Sequence, residues 1–83
     1  MDFLITADKL AAGAEAYRAQ EDRVVADLRA EGVISAAYRR CDGGGVVGIA
    51  HAADLATLRS QLARLPFVSH GLMKFEFVEI VTL

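Results

Sequence analysis

Near the middle of the chain, Asp42-Gly43-Gly44-Gly45 separates two β-prone runs, Val33–Arg40 and Val46–Ala50. Glycine reaches turn dihedrals at no steric cost, and a short turn between β-branched runs is the mark of a hairpin. One antiparallel pair is therefore fixed at the centre of 83 residues. Each flank must then supply its own elements. On the N-terminal side, Phe3–Thr6 reads as a strand, and Asp8 is placed to cap a helix. Leu10, Ala14, Tyr17, Glu21, Val24, Val25 and Leu28 follow at spacings of three and four, a helical stripe that Gly32 terminates. On the C-terminal side, Asp54 caps a second helix with Leu55, Leu58, Leu62 and Leu65 on one face. Pro66 marks its end, and Met73–Leu83 is β-rich throughout.

The order β-α-β-β-α-β predicts an α+β, ferredoxin-like fold, with an antiparallel sheet and both helices on one face. With no linker, low-complexity segment or repeat beyond the two βα units, residues 1–83 read as a single domain. The other sheet face then has no cover within the chain. Composition bears on this point: 54% of residues are hydrophobic and mean hydropathy is +0.33, rich for a domain whose own core is thin. No apolar run approaches the roughly 18 residues of a membrane span, and Met1-Asp2-Phe3-Leu4 has an acid where a secretion signal has basic residues. The remaining cover is a second copy. A homo-oligomer, dimer or higher, is expected, with two sheets face to face as a dimeric α+β barrel.

A net charge of −2 argues against nucleic acid as partner, since phosphate binding rests on excess positive charge. A lone cysteine, Cys41, rules out an internal disulfide and fits a reducing, cytoplasmic setting. His and Cys do not cluster at metal-ligand spacing, so no metal is expected.

Glu21 stands out chemically. It lies four residues after Tyr17, three before Val24 and seven before Leu28, inside the apolar stripe. A carboxylate facing an apolar interior loses hydration, which raises its pKa and suits it to acid–base work near neutral pH. A structural ion pair, with Arg18 or an arginine of the sheet, is the alternative. Tyr38, Arg39 and Arg40 end the second strand, and alternation sends Arg39 to the face opposite Tyr38 and Arg40. Either arginine can hold a substrate carboxylate bidentately or stay solvated at the rim. Tyr17 can donate a hydrogen bond into a pocket or simply pack in the core. His51, His70 and Cys41 read as surface residues. The glycine run leads into a strand rather than a helix N-terminus, so it is a turn and not a phosphate loop.

The run from Glu21 through Leu28-Arg29-Ala30-Glu31-Gly32, then Tyr38-Arg39, then Leu62-Ala63-Arg64-Leu65-Pro66-Phe67, resembles the muconolactone isomerase family over about residues 20–67. The spacing between Leu-x-x-Glu-Gly and Leu-Pro carries most of the likeness. The resemblance implies a ferredoxin-like fold in higher oligomers, no metal or organic cofactor, and a double-bond shift in a lactone by proton abstraction and return. Glu21 falls on the family's glutamate. Arg39 falls on the arginine after the family's tryptophan, which Tyr38 replaces. Gly44 and Val46 stand where the family brings a tyrosine and an asparagine toward the pocket, so the substrate is expected to differ.

The expected function is a cofactor-independent, isomerase-like enzyme acting on a small carbonyl or lactone compound. Glu21 is its catalytic base, and Tyr17, Tyr38, Arg39 and Arg40 are candidate substrate-binding residues. A cyclase- or dehydratase-type enzyme on a larger apolar substrate, or a non-catalytic small-molecule-binding domain, are the alternatives.

Overall fold

The computed structural model describes residues 1–9 and 12–83. Strand β1 (Asp2–Lys9) lies inside a four-stranded sheet with β2 (Ile34–Arg39), β3 (Gly45–His51) and β4 (Met73–Ile80). The strand order is β2-β3-β1-β4, and every neighbouring pair is antiparallel. Alternation along β1 buries Phe3, Ile5 and Ala7 and leaves Leu4 and Thr6 half-buried. Helices α1 (Arg18–Ala30) and α2 (Leu55–Leu62) complete the ferredoxin-like βαββαβ topology expected from the sequence, and a four-residue helix, α3 (Pro66–Ser69), follows α2.

Both long helices close on the inward side chains of the sheet. Leu28 of α1 and Leu58 and Leu62 of α2 pack with Phe3, Ile5, Ile34, Ala50 and Leu65 in one core. A smaller cluster of Ala7, Ala14, Phe67 and Met73 seals one end. Fully burying an aliphatic side chain of this size contributes about 1.5–3 kcal/mol, so the leucine stripes are what hold the helices down. Helix α1 is entered through Gly13, at φ 100°, and a 3₁₀ turn over Ala14–Tyr17; it ends at Gly32, at φ 79°. Asp54 caps α2 as expected, its Oδ1 accepting from Thr57 N–H at 2.7 Å. Arg64, just past α2, donates from two nitrogens to the two carboxylate oxygens of Glu31 at the end of α1, both at 2.8 Å.

Three expectations are corrected. Asp8 caps no helix: β1 runs on through Lys9 because it pairs on both sides, with β3 and β4, and this double ladder outweighs a local capping preference. The Asp8 carboxylate instead accepts from Arg40 at 2.9 Å. Leu10, expected on the helical stripe, lies outside the described residues. Pro66 opens a helix rather than only closing one, because its fixed φ and missing N–H suit the first helical position. Finally, β4 stops at Ile80, short of Leu83.

The hairpin depends on glycine at one position above all. Gly45 pairs beside β1 so closely that a Cβ there would fall on the Ala7 carbonyl oxygen. Gly45→Ala should therefore destabilise the fold by about 1–3 kcal/mol through forced backbone displacement, read as a lower urea midpoint with an unchanged slope.

Candidate functional site

Glu21 sits in the first turn of α1 and is only 7% exposed. Its stripe position, read from the sequence, turns it toward the sheet. The interior supplies one donor: Phe67 N–H, at the second position of α3, gives a hydrogen bond to Glu21 Oε1 at 2.9 Å. The first amides of any helix lack partners within it, so α3 offers one to the carboxylate. Oε2 has no protein partner among the described residues, yet no buried side-chain oxygen there is left unpartnered, so this second oxygen stays open.

Glu21 is one of the residues lining a cavity of about 210 Å³ between α1 and the inner sheet face. The walls are mainly apolar, with Ile5, Val25, Val46, Met73 and Phe75 among them. Arg18 and Asp22 of α1 and Arg39 of β2 stand at its polar margin. Gly48 also faces it; a Cβ there would come within 2.7 Å of the Ala36 carbonyl oxygen, while only touching Ile5 at van der Waals distance. Arg18 lies over the Phe67 ring, 5.6 Å from its centroid, a cation–π contact that holds the guanidinium beside Glu21.

Burial pushes the Glu21 carboxyl above the usual carboxylate range. The Phe67 amide opposes that shift, Asp22 adds to it, and Arg18 opposes it. A group so placed can take a proton from a bound molecule and hand it back.

The structure brings Glu21 and Arg39 together on one cavity and separates the other three candidates from it. Tyr38 is 67% exposed on the opposite sheet face. Arg40 is held at the hairpin by Asp8 at 2.9 Å and Asp42 at 2.6 Å. Tyr17 stacks on His70, ring centroids 4.2 Å apart, and packs against the smaller apolar cluster. Arg18 was visible in the sequence only as a possible ion-pair partner, although its position three residues before Glu21 puts both on one helix face. The Phe67 amide could be reached only through Pro66, read as the start of a helix.

Among the described residues, no group of three acidic, His or Cys side chains is placed to hold a metal. A second polar constellation lies at the exposed end of the sheet. His51 Nδ1 is 2.8 Å from Asp2 Oδ1, and its Nε2 is 2.7 Å from Ser35 Oγ. Its hydrogen bond to His51 lowers the Asp2 pKa. None of the three lines the Glu21 cavity, and together they tie the ends of three strands.

No protein-family model and no curated protein matches the chain. Among solved structures it is similar in fold to 5-chloro-2-hydroxyhydroquinone dehydrochlorinase (TftG) from Burkholderia phenoliruptrix AC1100, in complex with 2,5-dihydroxybenzoquinone. The TM-score is 0.73 at 17% sequence identity, covering 98% of this chain and 94% of that one.

Because the folded-state pKa of Glu21 is raised, the native protein holds this proton more tightly than the unfolded chain does. Its contribution to stability is fully present below the unfolded value and is lost as pH rises through the folded one. Glu21→Gln keeps an oxygen for the Phe67 amide and removes the charge. It should be more stable than the parent at neutral pH, and the difference should shrink toward pH 4. Urea titrations of both proteins across that range measure it.

Proposed function

We propose that the protein is a cofactor-independent acid–base enzyme of the muconolactone isomerase kind, acting on a small carbonyl or lactone compound. The observation that carries the reading is Glu21: a buried carboxylate of raised pKa that lines a mainly apolar cavity, with one oxygen fixed by Phe67 N–H. In this reading Oε2 takes the proton from the carbon next to the carbonyl. The electron pair moves into the conjugated system, and the resulting carboxylic acid returns the proton further along it. Nothing is oxidised or reduced. Arg39, at the same cavity, faces the carbonyl oxygen where negative charge develops, as preorganised donors do in such steps. The fold likeness to a dehydrochlorinase supports a second reading in which the same proton abstraction is followed by loss of a leaving group.

Incubation with muconolactone in deuterated water, followed by proton NMR, tests the proposal. The proton next to the carbonyl should exchange, or the double bond move, and Glu21→Gln should slow this by about 10²–10⁴-fold, the usual contribution of a general base. An equal rate in the variant sinks the assignment of Glu21. Binding without exchange in either protein would favour a non-catalytic binding domain.

We also propose that the working unit is a homo-oligomer built on the uncovered sheet face. Leu4, Ile49 and Val78 are register neighbours there, and Val78 is 58% exposed. Val78→Asp should shift the species seen by size-exclusion chromatography with light scattering from a dimer or larger assembly to a monomer. If the parent chain is already monomeric, the face has another use.

A further inference from the structure

Outside the Glu21 cavity, a second cluster has the connectivity of a nucleophile with its base. Asp2, Ser35 and His51 meet on the outer sheet face, where β1 and β2 begin and β3 ends. Asp2 Oδ1 is 2.8 Å from His51 Nδ1, and Ser35 Oγ is 2.7 Å from His51 Nε2. The bond to His51 holds the Asp2 carboxyl below the usual carboxylate range, so it is ionised at neutral pH. An ionised carboxylate only accepts, so Nδ1 carries the proton of the neutral ring. Nε2 is then the acceptor, and the Ser35 hydroxyl donates to it. Each ring nitrogen thus has the partner a serine nucleophile requires, the hydroxyl on one and the orienting acid on the other.

Two features set this cluster apart from a simple clasp between strand ends. Asp2 and His51 are already register partners in the β1–β3 ladder, so no side-chain bond is needed to join them there. Ser35 is the extra residue of a bulge: the register of β2 on β3 passes from Ile34–Ala50 to Ala36–Ile49 and leaves it without a partner. Such a bulge bends the strand and re-aims a side chain, and here the re-aimed group is the hydroxyl bonded to His51. Ser35 is exposed, so an incoming molecule can reach its Oγ. Leu4 and Ile49 form the adjoining row of the same face, about 7 Å along the strands, and offer a short acyl chain an apolar surface.

We propose that Ser35 is an acyl-accepting nucleophile toward small, activated carboxylic esters, with His51 as its base and Asp2 as the positioning residue. Oγ bonds to the ester carbonyl carbon as its proton passes to His51 Nε2. The bond to the leaving oxygen then breaks, that oxygen takes the proton from Nε2, and acyl-Ser35 remains. Water repeats the sequence, releasing the acid and restoring the serine, and nothing is oxidised or reduced. Strand β2 is an edge of the sheet, so the amides on its open side have no strand partner and can donate to the oxyanion that forms. This activity is independent of the Glu21 reading, since none of the three residues lines that cavity.

A fluorophosphonate, which phosphorylates an activated serine with loss of fluoride, tests the full chain, with the adduct located by peptide mass spectrometry. One equivalent should attach at Ser35, and the labelled protein should lose its hydrolysis of 4-nitrophenyl acetate. His51→Gln should slow labelling by about 10²-fold or more, the usual contribution of a general base. Asp2→Asn keeps an oxygen for the ring, so the fold survives it, but its amide can also hold the wrong tautomer; labelling should slow by at least about tenfold. A clasp that only holds strand ends predicts lower urea midpoints in these variants and no adduct in the parent. Labelling is repeated on Val78→Asp, a substitution on the opposite edge strand meant to strip any partner copy from this face. No adduct at Ser35 in either the parent or Val78→Asp overturns the proposal. So does an adduct that forms at the parent rate in His51→Gln or Asp2→Asn.

Discussion

A carboxylate inside a small apolar core is costly unless something in the core answers it, and here the answer is one backbone amide. The bond from Phe67 N–H to Glu21 Oε1 joins residues 46 apart in sequence and couples α1 to the short α3. Several features follow from it. The chain after α2 must turn sharply enough to aim an amide inward, which Pro66 at the first helical position allows. The Phe67 ring is then set beneath Arg18, and the same residue walls the cavity. Leaving that donor and acceptor unpaired would cost about 1–3 kcal/mol, so the bond fixes the site and protects the fold together.

The residues that carry the family likeness are, for the most part, fasteners. Leu28 is wholly buried, Gly32 supplies the positive φ after α1, and Glu31 is gripped by both nitrogens of Arg64. Leu65 enters the core and Pro66 starts α3. The Arg64 contact lowers the Glu31 pKa, so this clamp weakens in acid, in the opposite sense to Glu21. A motif made of such pieces reports how two helix ends are joined. It says less about what occupies the cavity between them, and this is why the likeness reaches the fold more firmly than the substrate.

The strand–helix order was legible because period-two and period-3.6 patterns are local, and the glycine hairpin separated them. Glu21 was legible for the same reason: its offset from Val24, Val25 and Leu28 already places it on the buried stripe. Alternation also separated Arg39 from Tyr38 and Arg40, as the structure has them, but could not tell which face held the cavity. What stayed out of reach depends on pairing across the sheet. The length of β1 follows from its two neighbours, and the fate of Asp8 from Arg40 arriving on the other side of the hairpin.

The two faces of the sheet divide the labour. Inward residues Ile5, Gly48 and Phe75 shape the cavity, while Leu4, Ile49 and Val78 form an apolar strip on the other side. Because side chains alternate along β1, β3 and β4, a substitution on one face of these strands leaves its neighbours on the other in place. Gly48 shows the limit of this independence. A Cβ there would only touch Ile5 at the cavity, and the atom it would strike is the Ala36 carbonyl oxygen of β2. Enlarging that residue would therefore move an edge strand before it narrowed the cavity. The size of the site is thus tied to the pairing of β2 with β3, and Arg39, on the same edge strand, would move with it.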